Sequence, residues 1–435
     1  MAGQPLPAGY LHTAGSSIVD ANDNSVRLAG VNWYGMDCDA NCVGGLDKRN
    51  RSDICALVVS LGFNTIRLPY TVEGILTNPA VSDVWLTANR DLVPTIGDAN
   101  YLGIMDAVIA AAGNAGLKVI LDCHRSYHGW STQENGLWYA QDANRRMWST
   151  QDWIAAWSTL VARYTGNSTV VGCDLRNELA DNKDPSNPAP DCWPYTAGSQ
   201  WGSGTYSRDD TTGRSGDWRQ AATDCGNAIL AQNPNLLIFV EGVRSDPAGP
   251  ASNGNLYWPG GNLTGVLARG QTIALNVPDR LVYSIHDYGP DMYAGLPWCQ
   301  LHSTANDSSA CEAEWDETWG NIVQQGMAPI WIGEFGTPNG HRPGDTTPPQ
   351  NYTDPNNANP QGAWFTYLVE YIGNNNLHWC YWALNGTQSE APTRDPQLPD
   401  HYGVLAPNWS DVASRPMMNK LETILSYTDS GIDGD

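Results

Sequence analysis

The sequence predicts a (β/α)8 TIM barrel, of class α/β, with long loops at its C-terminal face. Three observations predict it. Eight short runs rich in Val, Ile and Leu recur along the 435 residues, with helical patterns between them, the alternation that parallel βα units impose. Their centres read as buried on both faces, as strands enclosed by helices must be. The longest insertions, 180–216, 337–360 and 386–407, all follow the C-terminal ends of predicted strands, the face on which a barrel builds its sites.

The elements follow in order. Strand one, Val26–Tyr34, leads to a helix over Ser52–Leu61, and strand two is Asn64–Pro69. A helix over Leu102–Ala115 precedes strand three, Lys118–His124. In that helix Leu102, Met105, Val108, Ile109 and Ala112 recur at i, i+3 and i+4, and Gly116 stands where a left-handed residue ends the helix. Helix Gln151–Tyr164 leads to strand Val170–Glu178, and helix Asp217–Gln232 to strand Leu236–Glu241. Trp258–Gly270 is glycine-rich and accommodates only a short amphipathic stretch before strand Leu281–Tyr288. Helix Glu312–Gln325 precedes strand Pro329–Phe335, helix Gly362–Gly373 precedes strand His378–Asn385, and helix Arg415–Ser426 closes the series. With no internal repeat and no Pro/Ser linker, residues 1–427 read as one catalytic domain and 428–435 as a disordered acidic tail, whose Asp spacing does not complete a calcium loop. A doubly wound open sheet is the rival fold, but no GxGxxG follows an early strand.

Composition narrows the function. Lys and Arg number 23 against 46 Asp and Glu, a net charge of −23, so no electrostatic footprint for nucleic acid or an anionic membrane exists. No apolar run reaches the roughly 18 residues that cross a bilayer. The aromatic set is 19 Trp and 19 Tyr against 4 Phe. Such rings join an apolar face to a hydrogen-bonding edge and so suit a sugar. Ten cysteines without a CxxC spacing point to disulfides in an oxidising compartment. Cys38/Cys42, Cys192/Cys225 and Cys299/Cys311 lie in loop-like stretches as candidate pairs, whereas Cys123, Cys173 and Cys380 sit in strand runs and read as buried thiols. Seven Asn-x-Ser/Thr sequons, including Asn50, Asn262 and Asn385, partly reflect an Asn-rich chain.

Five acids, Asp122, Glu178, Glu241, Asp287 and Glu334, fall at or near strand ends. Glu178 closes the run from Val170 and Glu334 the run from Pro329, and long loops follow both. Two glutamates facing across a cleft are what glycoside hydrolysis needs, one protonated to donate to the leaving oxygen and one ionised to attack the anomeric carbon. On spacing alone Asp122, Glu241 and Asp287 remain alternative partners. His124 and His128 are spaced like zinc ligands, but His124 ends a strand, where the i, i+4 helical geometry is unavailable.

The ordered set Arg67-Leu68-Pro69, His124, Asn177-Glu178, His286-Asp287-Tyr288, Gly333-Glu334-Phe335-Gly336 and Trp382 resembles glycoside hydrolase family 5, the retaining cellulase family, from about Gly9 to Tyr427. Stretches such as Leu28–Gly35 and Asn233–Gly242 resemble its secreted endo-β-1,4-glucanases of actinobacterial type. The resemblance implies that Glu178 is the acid/base and Glu334 the nucleophile, and that Asn177 binds the 2-hydroxyl. It further implies that Tyr288 and Arg67 hold the Glu334 carboxylate, that His124 and His286 bind hydroxyls or orient the glutamates, that Trp382 floors the −1 sugar, and that Trp33 serves a neighbouring subsite. It implies a secreted monomer that needs no cofactor or metal and acts on β-glucan polysaccharide or oligosaccharide. A mannanase or exo-β-glucosidase on the same frame is the enzymatic rival, and a non-catalytic saccharide-binding barrel would lack one of the two acids. Leu179 stands where the family often has Pro, and the loop 180–216 is longer than expected. Its Trp193, Tyr195, Trp201 and Tyr206 are expected to add a leaving-side subsite, lengthen the groove or partly cover it.

Overall fold

A computed structural model of the chain describes residues 5–93, 99–129, 135–140, 147–180, 198–210, 214–248, 256–293, 307–342, 344–389, 395 and 397–426. Eight parallel strands close a barrel: β1 (Ala29–Asn32), β2 (Thr65–Thr71), β3 (Lys118–Arg125), β4 (Val170–Asp174), β5 (Leu237–Glu241), β6 (Leu281–His286), β7 (Ile330–Phe335) and β8 (His378–Tyr381). Each pairs with its sequence neighbours, and β8 closes on β1 through Trp379–Ala29 and Tyr381–Val31. This is the predicted fold, with the predicted strand order.

The helices form where the sequence supplies caps. In α1 (Arg51–Ser60) the Asn50 side chain accepts from Ser52 N, and in α2 (Tyr101–Asn114) the Asn100 side chain accepts from Gly103 N. Such caps satisfy backbone donors that the first helical turn leaves orphaned. Gly116 follows α2 with φ +84°, as its sequence position predicted. A capping box between Ser149 and Asp152 starts α3 (Thr150–Arg163), and Asp217 caps α4 (Trp218–Gln232). The glycine-rich stretch before β6 yields only α5 (Thr264–Arg269). The single helix expected over Glu312–Gln325 is instead α6 (Ser309–Trp315), a π-turn over Asp316–Gly320 and α7 (Asn321–Gln324). Helices α8 (Pro360–Asn374) and α9 (Arg415–Leu421) complete the outer layer. The acidic tail from 427 onward lies outside the described residues.

Two apolar zones frame the site. One fills the barrel's lower interior, where Ile120, Val171, Leu237, Phe239, Val282 and Trp331 meet Leu11 and Ile18. The last two flank or belong to an N-terminal hairpin, His12–Ala14 with Ser17–Val19, which plugs the barrel floor. The larger zone packs strands against helices. Because apolar side chains fill the floor, the polar groups of the site gather in the upper interior. Cys123, Cys173 and Cys380 are buried free thiols, as expected. Cys192 and Cys299, one member of each of two candidate pairs, lie outside the described residues. The sequons at Asn262 and Asn385 are fully buried and so closed to glycosylation in the folded chain.

Candidate active site

Strand periodicity delivers the polar side chains to the barrel mouth. Along β5, Leu237 and Phe239 belong to the interior zone and Ile238 and Val240 to the outer one, so Glu241 continues the interior series. On β7 the parity is wrong: Trp331 points inward, and Glu334, three residues on, belongs outside by strict alternation. A register shift between Ile332 and Phe335 corrects it, as bulges beside active sites do. Gly333 sits in this irregularity, where an added Cβ would lie 3.0 Å from His286 Nε2 and 2.9 Å from Ser284 Oγ.

Arg67, from β2, is the hub. Its Nη1 lies 2.7 Å from Glu334 Oε1 and donates to Asn32 Oδ1. Its Nε donates to Asp174, and its Nη2 reaches Asn177 Oδ1 at 2.9 Å, Asp122 Oδ1 at 3.1 Å and Glu241 Oε1 at 3.3 Å. Burial works against the guanidinium charge, but Asp122, Asp174, Glu334 and Glu241 outweigh it and hold Arg67 firmly protonated. The same burial lifts Asp122 and Asp174 to about 6 and Glu241 to about 7.

The two glutamates are held differently. Glu334 Oε1 takes the Arg67 guanidinium, and its Oε2 accepts from the Tyr288 hydroxyl at 3.0 Å. Glu178 leaves β4 with φ +47°, and its Oε1 accepts from Trp258 Nε1 at 2.7 Å and faces His286 Nδ1 at 3.0 Å. Among the described residues Glu178 Oε2 takes no hydrogen bond. The facing atoms of Glu178, His286 and Glu334 all lie within 4.8 Å of one another. That spacing fits the roughly 5–5.5 Å of a direct-attack pair, not the roughly 6.5–9.5 Å that leaves room for a water. A metal would find the same three groups, but Arg67 already places a permanent charge on Glu334.

The pair shares protons with His286. Burial pushes Glu334 up to about 8, against the charges of His286 and Arg67. Burial also acts on Glu178, but hydrogen bonds from His286 and Trp258 overcome it and hold that carboxyl low. The two carboxyls carry one proton between them, and the reactive form is the one with that proton on Glu178, because Arg67 cannot lose its charge and keeps Glu334 ionised.

Exposure sorts the residues that meet solvent from those beneath. Glu178 is 7 % exposed, His124 5 % and Glu334 4 %, while Arg67, Asp122, Asp174, Glu241 and His286 are sealed. His124 gives Nδ1 to Asp122 at 2.6 Å, and burial lowers it to about 3, so its ring is neutral. Trp382, half-buried, stacks on His124 at 5.5 Å and on Tyr34 at 5.0 Å. The structure thus brings together Glu178, Glu334, Arg67, His124, Asn177, His286, Tyr288 and Trp382. Trp33 does not join them. Fully buried, it donates its indole N–H to Gly44 O within the outer core, so it offers no face to a sugar. Trp201 and Tyr206 also miss the cleft. Trp201 is buried against Tyr283 and Gln271 O, and Tyr206 packs on Trp138 and bonds Asp224. Trp193 and Tyr195 lie outside the described residues.

Sequence reasoning missed Asn32, Asp174 and Trp258 and left Asp122 and Glu241 as generic strand-end acids. Period-2 counting from the buried floor residues finds Glu241, but nothing local marks Trp258, which reaches Glu178 from the glycine-rich stretch after β5.

Comparison with known proteins agrees with this geometry. The profile of the family described as Cellulase (glycosyl hydrolase family 5) matches residues 19–388. The chain belongs to glycoside hydrolase family 5. It is 36% identical to an endoglucanase of Paenibacillus polymyxa, over 96% of this chain and 87% of that protein. It is 29% identical to endoglucanase G of Acetivibrio thermocellus, over 92% and 68%. Among solved structures it resembles the hyperthermophilic endocellulase of Pyrococcus horikoshii, with a TM-score of 0.73, 29% identity and coverage of 96% of this chain and 98% of that one. The catalytic domain of the major endoglucanase of Xanthomonas campestris gives a TM-score of 0.71 at 26% identity, covering 96% and 99%.

Proposed function

We propose that this family 5 enzyme is a secreted endo-β-1,4-glucanase that cuts internal bonds of cellulose and related β-glucans with retention of configuration. The observation that carries the reading is the close approach of Glu178 and Glu334, each with its own set of donors. Glu334, ionised under Arg67 and Tyr288, attacks the anomeric carbon while Glu178 protonates the departing oxygen. A glycosyl ester on Glu334 results. Glu178, now a carboxylate, takes a proton from a water whose oxygen bonds to the anomeric carbon as the ester bond to Glu334 breaks, which frees Glu334 and releases the sugar with its original configuration.

The neighbours serve the same path. Asn177 Oδ1 is occupied by Arg67, so its amide N–H groups remain to donate to the sugar 2-hydroxyl, a contact that strengthens as the ring flattens. Neutral His124 presents Nε2 to hydroxyls, and Trp382 supplies the apolar floor for the −1 ring. The relatives' endoglucanase names support the β-glucan reading, and a Pyrococcus horikoshii endocellulase solved as a cellotetraose complex supports an oligosaccharide in the cleft. Secretion is supported by the similarity to a major extracellular endoglucanase of Xanthomonas campestris. The enzyme acts as a monomer away from membranes, and no helix among the described residues is long and apolar enough to cross one.

The test is viscosity loss against new reducing ends on soluble carboxymethyl cellulose, with mannan in parallel and Glu334→Gln as control. A steep early viscosity drop on the glucan, absent from the variant, is the expected result. Intact viscosity during reducing-end release, or preference for mannan, refutes the endo-glucanase assignment.

A further inference from the structure

Glu241 has no role in the path just described, yet it touches three members of the site. Its Oε2 accepts the backbone N–H of Glu178 at 2.7 Å. Its Oε1 lies 3.2 Å from His286 Nε2 and 3.3 Å from Arg67 Nη2. The carboxylate is sealed from solvent and is held from behind as well. Gly260, at φ +77°, packs so closely that an added Cβ would come within 2.0 Å of Glu241 Oε2 and 3.3 Å of Glu178 Cα. Backbone bonds Gly242 N to Gly260 O and Gly260 N to Leu179 O sew β5, this glycine and the acid's loop together.

His286 is therefore a bridge, with Nδ1 on Glu178 and Nε2 toward Glu241. Nδ1 hydrogen-bonds Glu178 while Nε2 stands at ion-pair distance from Glu241 without the alignment of a hydrogen bond, and a ring so placed between two carboxylates is favoured as imidazolium. We infer that Glu241 is a positioning residue with two tasks: it fixes the backbone of Glu178, and as counterion it lets His286 carry the positive charge that Glu178 needs once it has given up its proton. The inference rests on the two-glutamate retaining reading and says where that reading finds its charge balance. In the first half of the reaction Glu178 passes its proton to the leaving oxygen and becomes a carboxylate. A charged His286 at 3.0 Å stabilises that carboxylate in the second half, and Glu241 prevents burial from stripping the imidazolium of its proton. The groups facing Glu241 are Arg67 from β2, Asp174 from β4, His286 from β6 and the Glu178 amide, with Asp122 behind Arg67. Burial opposes charge on His286, but Glu241 and Glu334 outweigh it and keep the ring charged.

Glu241→Gln separates the two tasks. An amide cannot accept at both ends. With its carbonyl on the Glu178 N–H it keeps the backbone bond, but its NH2 then faces His286 and Arg67 and the counterion is gone. His286 becomes neutral, so Glu178 holds its proton to higher pH and is largely protonated in the glycosyl-enzyme, where it must be a carboxylate to act as base. On an aryl cellobioside with a good leaving group, where deglycosylation limits turnover, kcat falls by up to about 10-fold, the carboxylate fraction that one pH unit removes. KM falls with it as glycosyl-enzyme accumulates, and on cellotetraose, whose leaving alcohol needs the proton, the alkaline limb of kcat/KM moves up by about one pH unit. A limb left in place, or kcat and kcat/KM reduced by one common factor, overturns the inference.

Gly260→Ala makes the reverse change. It pushes the carboxylate off the Glu178 amide but leaves its charge, so it lowers kcat and kcat/KM together with the limb unmoved. A shifted limb here contradicts the division of tasks. Should Glu241→Gln not fold, selective 15N-histidine labelling of the wild-type protein decides the point, with His286 showing imidazolium shifts at pH 7. A neutral ring at that pH overturns the inference. Turnover retained by Glu334→Gln is a different outcome, since it removes the two-glutamate reading itself.

Discussion

Replacing Arg67 by Met is the perturbation whose consequences the structure defines most fully. The guanidinium lies within 2.7–3.3 Å of Glu334, Asp174, Asp122 and Glu241 and is sealed from solvent. Methionine fills much of the space but leaves four carboxyls without their permanent counter-charge. Removing one partner of a buried pair costs about 3–5 kcal/mol. Unfolding entropy of about 2.1 cal/mol/K per residue gives about 0.9 kcal/mol/K for a chain this long, so Tm falls by about 3–6 °C.

The pH dependence carries a definite sign. Burial already raises Asp122 and Asp174 to about 6 with Arg67 in place, and without it they rise further. A carboxyl raised in the folded state stabilises at low pH and loses that contribution as pH climbs through its folded value. The stability gap between wild type and Arg67→Met therefore widens from pH 6 to pH 8. Thermal unfolding followed by circular dichroism over that range reads it directly. A gap that stays constant, or narrows toward pH 8, refutes the view that Arg67 is chiefly the counter-charge of buried acids.

Other predictions are shorter. Glu178→Gln keeps within about 10-fold of wild type for forming the glycosyl-enzyme from a dinitrophenyl cellobioside, yet loses about 10²–10⁴-fold on cellotetraose, whose leaving alcohol needs the proton; equal losses on both contradict its acid role. Glu334→Gln folds and binds cello-oligosaccharide but shows no turnover above about one part in 10⁴, as calorimetry and a reducing-end assay will show. Asp287, fully buried, accepts from Tyr257 and Trp315, and burial outweighs those bonds to push it up to about 7. Its stabilising contribution is complete below about pH 4 and is lost as pH rises through 7, so Asp287→Asn gains roughly 4 kcal/mol relative to wild type between pH 4 and 8. Denaturant melts that show the same difference at both ends of that range exclude the effect.

The barrel was legible because short apolar runs recur eight times in alternation with helical patterns, although a single run such as Ala363–Val369 of α8 is buried just as continuously. Strand ends were less so. The runs Val170–Glu178 and His378–Asn385 continue past Asp174 and Tyr381, where the chain leaves the sheet, because apolar character persists in residues that pack under loops. That departure is functional at Glu178, whose left-handed backbone a strand reading does not foresee. Helix Val72–Thr77 was invisible, being six residues capped by Thr71, too short for a periodic pattern. Within the site, residues that act through their own chemistry could be read from motif order. Those that act through others could not, because Trp258 and Glu241 gain meaning only when β4, β5 and β6 converge. Aromatic content misled at Trp33, Trp201 and Tyr206, since an indole or phenol finds a buried carbonyl or carboxylate as readily as a sugar.

The central claim is that Glu178 and Glu334 act as a direct-attack pair, and stereochemistry tests it most directly. Proton NMR of cellotetraose hydrolysis in its first minutes, before mutarotation, reports the anomer released at the new reducing end. The account predicts β-anomer first, relaxing later to the equilibrium mixture. An α-anomer appearing first would mean that a water attacks in place of Glu334, and the two-step mechanism would fall with it.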